Sequence, residues 1–136
     1  MLKPELISLS RLQWERAEEI INFIPSYLEI GDYNSAVNRA YYACFHAMKA
    51  IELLDGFDSK KHSGVISYFR NHYIRNGIFD PEVSKQIGLL QDAREDSDYN
   101  MLIRFDLESA EMHFNNAKAF LAAVKPYLTM HYGENG

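Results

Sequence analysis

The sequence predicts an all-α domain of four to five helices, and three observations lead there. Apolar residues recur at three- and four-residue steps along most of the chain, while no segment sustains the alternation of a strand. Helix punctuation separates the periodic runs: Gly31-Asp32, Asn76-Gly77, Asp80-Pro81 and Asp106. The chain has 136 residues, 47% of them apolar and 24% charged, the size and balance of one soluble domain around one core, so residues 1–136 are read as a single domain. No internal repeat, low-complexity tract or linker divides it.

The first helix is expected to open at Pro4, a residue tolerated in a first turn, and to bury Ile7, Trp14, Ala17, Ile21, Ile24 and Leu28. Pro25 lacks a backbone donor and is expected to kink or interrupt it. Gly31 stops the helix and Asp32 caps the second, Tyr33 to Leu54. That second helix sorts into three rows. Val37, Tyr41, Cys44, Met48 and Ile51 are apolar; Ala36, Ala40, Ala43, Ala47 and Ala50 form a smooth surface that a neighbouring backbone can approach; Ser35, Arg39, Tyr42, His46 and Lys49 form a polar-aromatic edge.

After the turn DGFDSK, a third helix is expected from Lys61 to Asn76, burying Val65, Ile66, Phe69 and Tyr73, with His62 on or near the same face. Asp80-Pro81 opens the fourth, which turns Val83, Ile87, Leu90 and Ala93 inward and ends near Asp98 or slightly later. Met101 to Phe105 is a connection. Asp106 caps the last helix, whose inward row is Leu107, Ala110, Phe114, Ala117, Leu121, Val124 and Leu128. Pro126 is expected to disturb its end, and the residues from His131 on are expected to fray.

Charge narrows the function classes. A net charge of −5 argues against broad, sequence-independent binding of nucleic acid, yet leaves room for a local phosphate site. The segment Lys60 to Asn76 carries Lys60, Lys61, Arg70 and Arg75 and no acid, whereas Asp80 to Tyr99 is acidic. Two helices with mutually attracting faces account for this; so does a basic surface for a phosphate-bearing ligand. No apolar run is long enough to span a bilayer and no leader pattern opens the chain, so no membrane association is expected. One cysteine, Cys44, forms no intrachain disulfide, and a cytoplasmic location is expected.

The candidate chemistry lies in two clusters. The five histidines are scattered without metal-ligand spacing, and the glycines stand singly, so neither a metal nor a cofactor is expected. Arg39, Tyr42 and His46 share one face of the second helix at steps of three and four. They line a polar groove or a dimer seam, or they are edge aromatics beside an arginine paired with Asp32 or Glu18. In DAREDSDYN, Arg94 and Asp98 share a face, while Arg94 and Tyr99 stand roughly 140° apart on a straight helix and converge only if it ends or bends there. This cluster is a site or an acidic, solvated helix end.

Four stretches in order, GDYNSAVNRAYYACFHAMKAIELL, KKHSGVISYFRNHYIRNG, LLQDAREDSDYN and DLESAEMHFNNAKAFLAAVKPYL, resemble a small stand-alone HEPN-domain protein, named for the higher eukaryote and prokaryote nucleotide-binding domain. The likeness runs from about Leu9 to Leu128. It implies an up-and-down bundle of four main helices plus a shorter element, and commonly a homodimer. It also implies metal-independent RNA cleavage by an Arg-x(4–6)-His motif from each subunit. A frequent partner is a small nucleotidyltransferase, joined in a toxin–antitoxin pair, which can attach AMP to a tyrosine near the motif.

Carried over, Arg94 takes the place of the motif arginine, and after four intervening residues Tyr99 stands where the family has histidine. Arg94, Asp98 and Tyr99 are thus the candidate catalytic residues, Tyr99 also the candidate for modification. Arg39, His46, His62 and Arg70 are the candidates for binding substrate phosphate. Arginine suits a phosphorane, but a tyrosine of ordinary pKa near 10 is a poor base at neutral pH. Three functions stay open: an RNA-cleaving toxin, a non-catalytic nucleotide- or RNA-binding subunit of a nucleotidyltransferase, and a structural helical dimer.

Overall fold

Helix α2, Tyr33–Leu54, forms the middle of the molecule because two of its three rows are consumed by packing. The alanine row is fully buried, and so are Val37, Tyr41, Cys44, Met48 and Ile51, while Ser35, Arg39, Tyr42, His46 and Lys49 remain at the rim. The computed structural model describes residues 4–99 and 103–133. Around α2 it packs α1 (Pro4–Glu29), α3 (His62–Phe69), α4 (Pro81–Tyr99) and α5 (Leu107–Tyr132). The result is an all-α bundle, with no strand among the described residues and no helix among them long and apolar enough to cross a membrane.

The expected caps are in place. Gly31 takes a φ of 80°, and the Asp32 carboxylate accepts from the Ser35 N–H at 3.3 Å. Asp80 accepts from the Glu82 N–H at 2.8 Å and Asp106 from the Ser109 N–H at 2.8 Å, so α4 and α5 each begin on a satisfied donor.

Several details differ from expectation. Pro25 does not interrupt α1, nor Pro126 α5: each removes one backbone bond, and flanking core residues (Ile24; Val124 and Leu128) keep the helix docked. The end of α5 is held through Tyr132, whose hydroxyl lies 2.7 Å from Ser10 Oγ; Ser10 also donates to the Ala50 carbonyl at 2.6 Å. The helix then closes on Gly133, and residues 134–136 lie outside the described residues. The third helix is not one α-helix. After Phe69 the chain widens into a π-helical turn, Arg70–Ile74, closed by the Arg75 N–H donating to the Arg70 carbonyl at 2.9 Å.

The inward row of α5 also differs. His113 and Phe120 are buried, whereas Leu107 is 45% exposed and Phe114 only partly covered. His113 sets its ring edge-on to Phe105. Elsewhere two buried polar groups are held neutral. Burial pushes the Cys44 thiol far up, which removes it as a nucleophile at neutral pH. Burial raises the Glu52 carboxyl to about 9, against the pull of Lys49, so that side chain is a protonated acid inside the core.

The alanine row provides a direct test of the packing. Ala43 has no exposed surface. Ala43→Leu is expected to overpack the α2 interface, cost about 1–3 kcal/mol and lower the thermal midpoint by several degrees. An unchanged midpoint is incompatible with this orientation of α2.

Candidate functional site

The rim of α2 is completed by one residue from α3 and one from α4. The chain turns after Leu54 and begins α3 at His62, which places that ring over the Phe45 ring at 4.2 Å between centroids and 24° between planes. The His62 Nδ1 lies 2.9 Å from the Tyr41 hydroxyl, and its ring meets the Tyr42 ring edge-on. From the second half of α4, Arg94 lays its guanidinium 5.4 Å from the Tyr41 centroid and 5.7 Å from that of Tyr42, and Nη2 donates to the Tyr42 hydroxyl at 3.3 Å. Arg39 approaches the same Tyr42 ring, 4.9 Å from its centroid, steadied by two bonds to the Asn38 amide oxygen. Tyr42 is therefore a platform shared by two guanidinium groups.

Electrostatics assigns the protonation states. Burial raises the Tyr41 phenol to about 12, an effect that Arg94 partly offsets, so it is neutral and can donate or accept. Burial, then Arg94 and Lys49, hold the His62 imidazole below its usual value, so it too is neutral at pH 7. The arrangement thus joins a fixed cation to an uncharged, partly exposed imidazole whose Nδ1 is anchored by a phenol. That is the pairing needed to stabilise a phosphate-centred charge and to accept a proton beside it. Among the described residues no group of three histidine, cysteine or carboxylate side chains is placed to hold a metal ion.

The sequence candidates divide accordingly. Arg94, His62 and Arg39 come together. His46 does not follow Arg39 and Tyr42: it turns to α1, where its Nδ1 bonds the Gln13 amide oxygen at 2.6 Å, and burial, with Arg16 and Lys49, lowers it to about 4. Arg70 instead donates to the Ser84 hydroxyl at 3.1 Å and to the Ser84 carbonyl at 3.4 Å, tying the π-helical turn to α4. Helix α4 runs through Asp98 and Tyr99, but the side chains of both lie outside the described residues. Arg39 pairs with neither Asp32 nor Glu18.

Two participants were missed. Tyr41 reads as a packing residue of the apolar row and Phe45 falls in none of the three rows; both are buried, and the adjacent tyrosines at 41 and 42 are the available signal. One ring of that pair anchors His62 and the other carries the arginines.

Comparison with known proteins gives a consistent picture. A family model described as the HEPN domain matches residues 10–127. A "UPF0332 protein" of Thermotoga maritima is 32% identical over 81% of this chain and 83% of its own length. Two proteins of Methanocaldococcus jannaschii are each 32% identical over 84% of this chain: "Putative toxin MJ0142", with 78% of its length covered, and "Putative toxin MJ0605", with 84% covered.

Proposed function

Since this chain belongs to the HEPN-domain family, we propose that it is a toxin-type member that cleaves single-stranded RNA without a metal. The observation that carries the reading is the meeting of Arg94 and His62 across the two tyrosines. In the tautomer whose Nδ1–H donates to the Tyr41 oxygen, His62 Nε2 keeps a lone pair. It takes the proton of a ribose 2′-hydroxyl as that oxygen attacks the adjacent phosphorus. Arg94 stabilises the charge on the phosphorane. The bond to the 5′-oxygen breaks, water protonates the leaving oxygen, and a 2′,3′-cyclic phosphate remains. His62 thus does the work that the histidine of the family motif does elsewhere, which explains how Tyr99 can stand in the motif position.

The active form in this proposal is a homodimer whose two subunits each contribute an Arg94 motif to one composite cleft, because one chain offers few convergent groups. Its partner is a small nucleotidyltransferase acting as antitoxin, with the Tyr99 hydroxyl as acceptor of AMP. A second reading, a non-catalytic RNA-binding subunit of that transferase, is favoured by the tyrosine at the motif position. One experiment separates them: the purified chain is incubated with RNA in excess chelator, and its mass is followed by sedimentation. Products with cyclic phosphate ends and a dimer are expected. Bound but uncut RNA favours the second reading, and a clean monomer of 15.8 kDa removes the composite cleft.

A further inference from the structure

Next to the cluster, on the far side of Arg39, α1 and α2 enclose a pocket of about 210 Å³ lined by Arg16, Glu19, Ile20, Phe23, Tyr27 and Arg39. Ile20 belongs to the core and Tyr27 packs against it, but Phe23 and Arg16 do not serve the core. Phe23 is 58% exposed, and its ring meets Tyr27 edge-on with centroids 5.4 Å apart. Arg16 pairs with Glu19 at 3.5 Å, exposed on both sides, an interaction of little strength that another anion readily replaces. Arg39 links the pocket to the cluster, since its guanidinium and that of Arg94 lean on the one Tyr42 ring. Two arginines and two rings are thus gathered at one place on a chain of net charge −5.

We propose that this pocket is a subsite for the nucleotide that flanks the one held at Arg94 and His62, and that a strand of RNA runs across α2 between them. The inference rests on the RNA reading given above. An exposed aromatic face beside cations is the usual platform for an unpaired base, and stacking tolerates any sequence because every base has such a face. Phe23 stacks the base and Tyr27 backs it. Arg39, through the edge of its guanidinium not bonded to Asn38, and Arg16 take the phosphates on either side. Glu19 supplies an acceptor for an amino group on the base edge.

The test uses the full chain and a fluorescent RNA hexamer carrying 2′-O-methyl groups throughout, which has no attacking hydroxyl and stays intact. Phe23→Ala is expected to weaken binding about tenfold, the effect of losing one stacked base, and Phe23→Tyr to retain it. Met130→Ala, at a position 68% exposed on α5, is expected to bind as the wild type does. Wild-type affinity in Phe23→Ala together with weakened binding in Arg94→Ala overturns the subsite and leaves the RNA reading standing. No binding by the wild-type chain overturns both. A Phe23→Ala protein that keeps its affinity but sediments as a smaller species shows instead that this face seats a second copy of the chain.

Discussion

Arg94→Ala is expected to reduce RNA cleavage by about 10²–10³-fold, the usual consequence of removing one charge-stabilising donor from a reaction centre. On the toxin reading, the wild type is expected to arrest growth when expressed in cells and the variant to be tolerated. Folding is expected to survive. The native state loses the contacts of one guanidinium with Tyr41 and Tyr42, among them a hydrogen bond to the Tyr42 hydroxyl and about 1 kcal/mol of cation–π attraction at a half-covered position. Circular dichroism and the thermal midpoint check that the loss is chemical. Arg94→Lys refines the argument, because an ammonium restores the charge without the planar fork; it is expected to recover only part of the rate. Tyr99→Phe, which keeps the ring and deletes the hydroxyl, tests the other motif position. Full toxicity in both Arg94→Ala and Tyr99→Phe moves the centre away from α4.

The range of each interaction decides how much of it is legible in the sequence. The three rows of α2 are a property of helical repeat and local side-chain type, and all three were legible. So were the caps at Asp32, Asp80 and Asp106, where a carboxylate answers a donor two or three residues away. Neither proline breaks its helix, because the burial of Ile24, Val124 and Leu128 outweighs a cost that is local. The π-helical turn left no signature in KKHSGVISYFRNHYIRNG; it is stabilised by Arg70 reaching Ser84 on another helix. In α5, His113 scored as polar and Phe120 lay off the row being followed, yet both face the core.

The site divides along the same line. Arg94 and Arg39 were singled out by type and spacing, and His62 as a histidine beside a basic stretch. Their convergence was not legible, since it depends on contacts 21 and 52 residues apart in sequence. The partner of His46 is not legible either, because equal spacing along α2 does not say which neighbouring helix each residue meets. Gln13 of α1 claims it.

His62→Ala is expected to cost about 10²–10⁴-fold in cleavage, the range for loss of a general base, and to change the shape of the pH profile as well as its height. The sign follows from the environment. The imidazole is held below its usual value by burial, Arg94 and Lys49, so in the wild type the reactive neutral form persists at pH 7 and is lost as pH falls through that lowered value. Activity therefore rises with pH on the acid side and levels off before neutrality. In His62→Ala this limb disappears. Lys49→Gln removes one of the repelling charges (Lys49 itself pairs with Asp58 at 3.0 Å, outside the reacting cluster) and is expected to shift the limb to higher pH while leaving the plateau rate intact. Stability moves in the same sense: an unfolded chain takes up the proton more readily than the native one, so acid weakens the fold at this residue and His62→Gln relieves that share. The profile also discriminates among the histidines. A limb near pH 4, unaffected by His62→Ala, identifies His46 as the base, because that is where its buried ring titrates. A wild-type limb at lowered pH that vanishes with His62 and climbs with Lys49→Gln fits only a base that both substitutions reach.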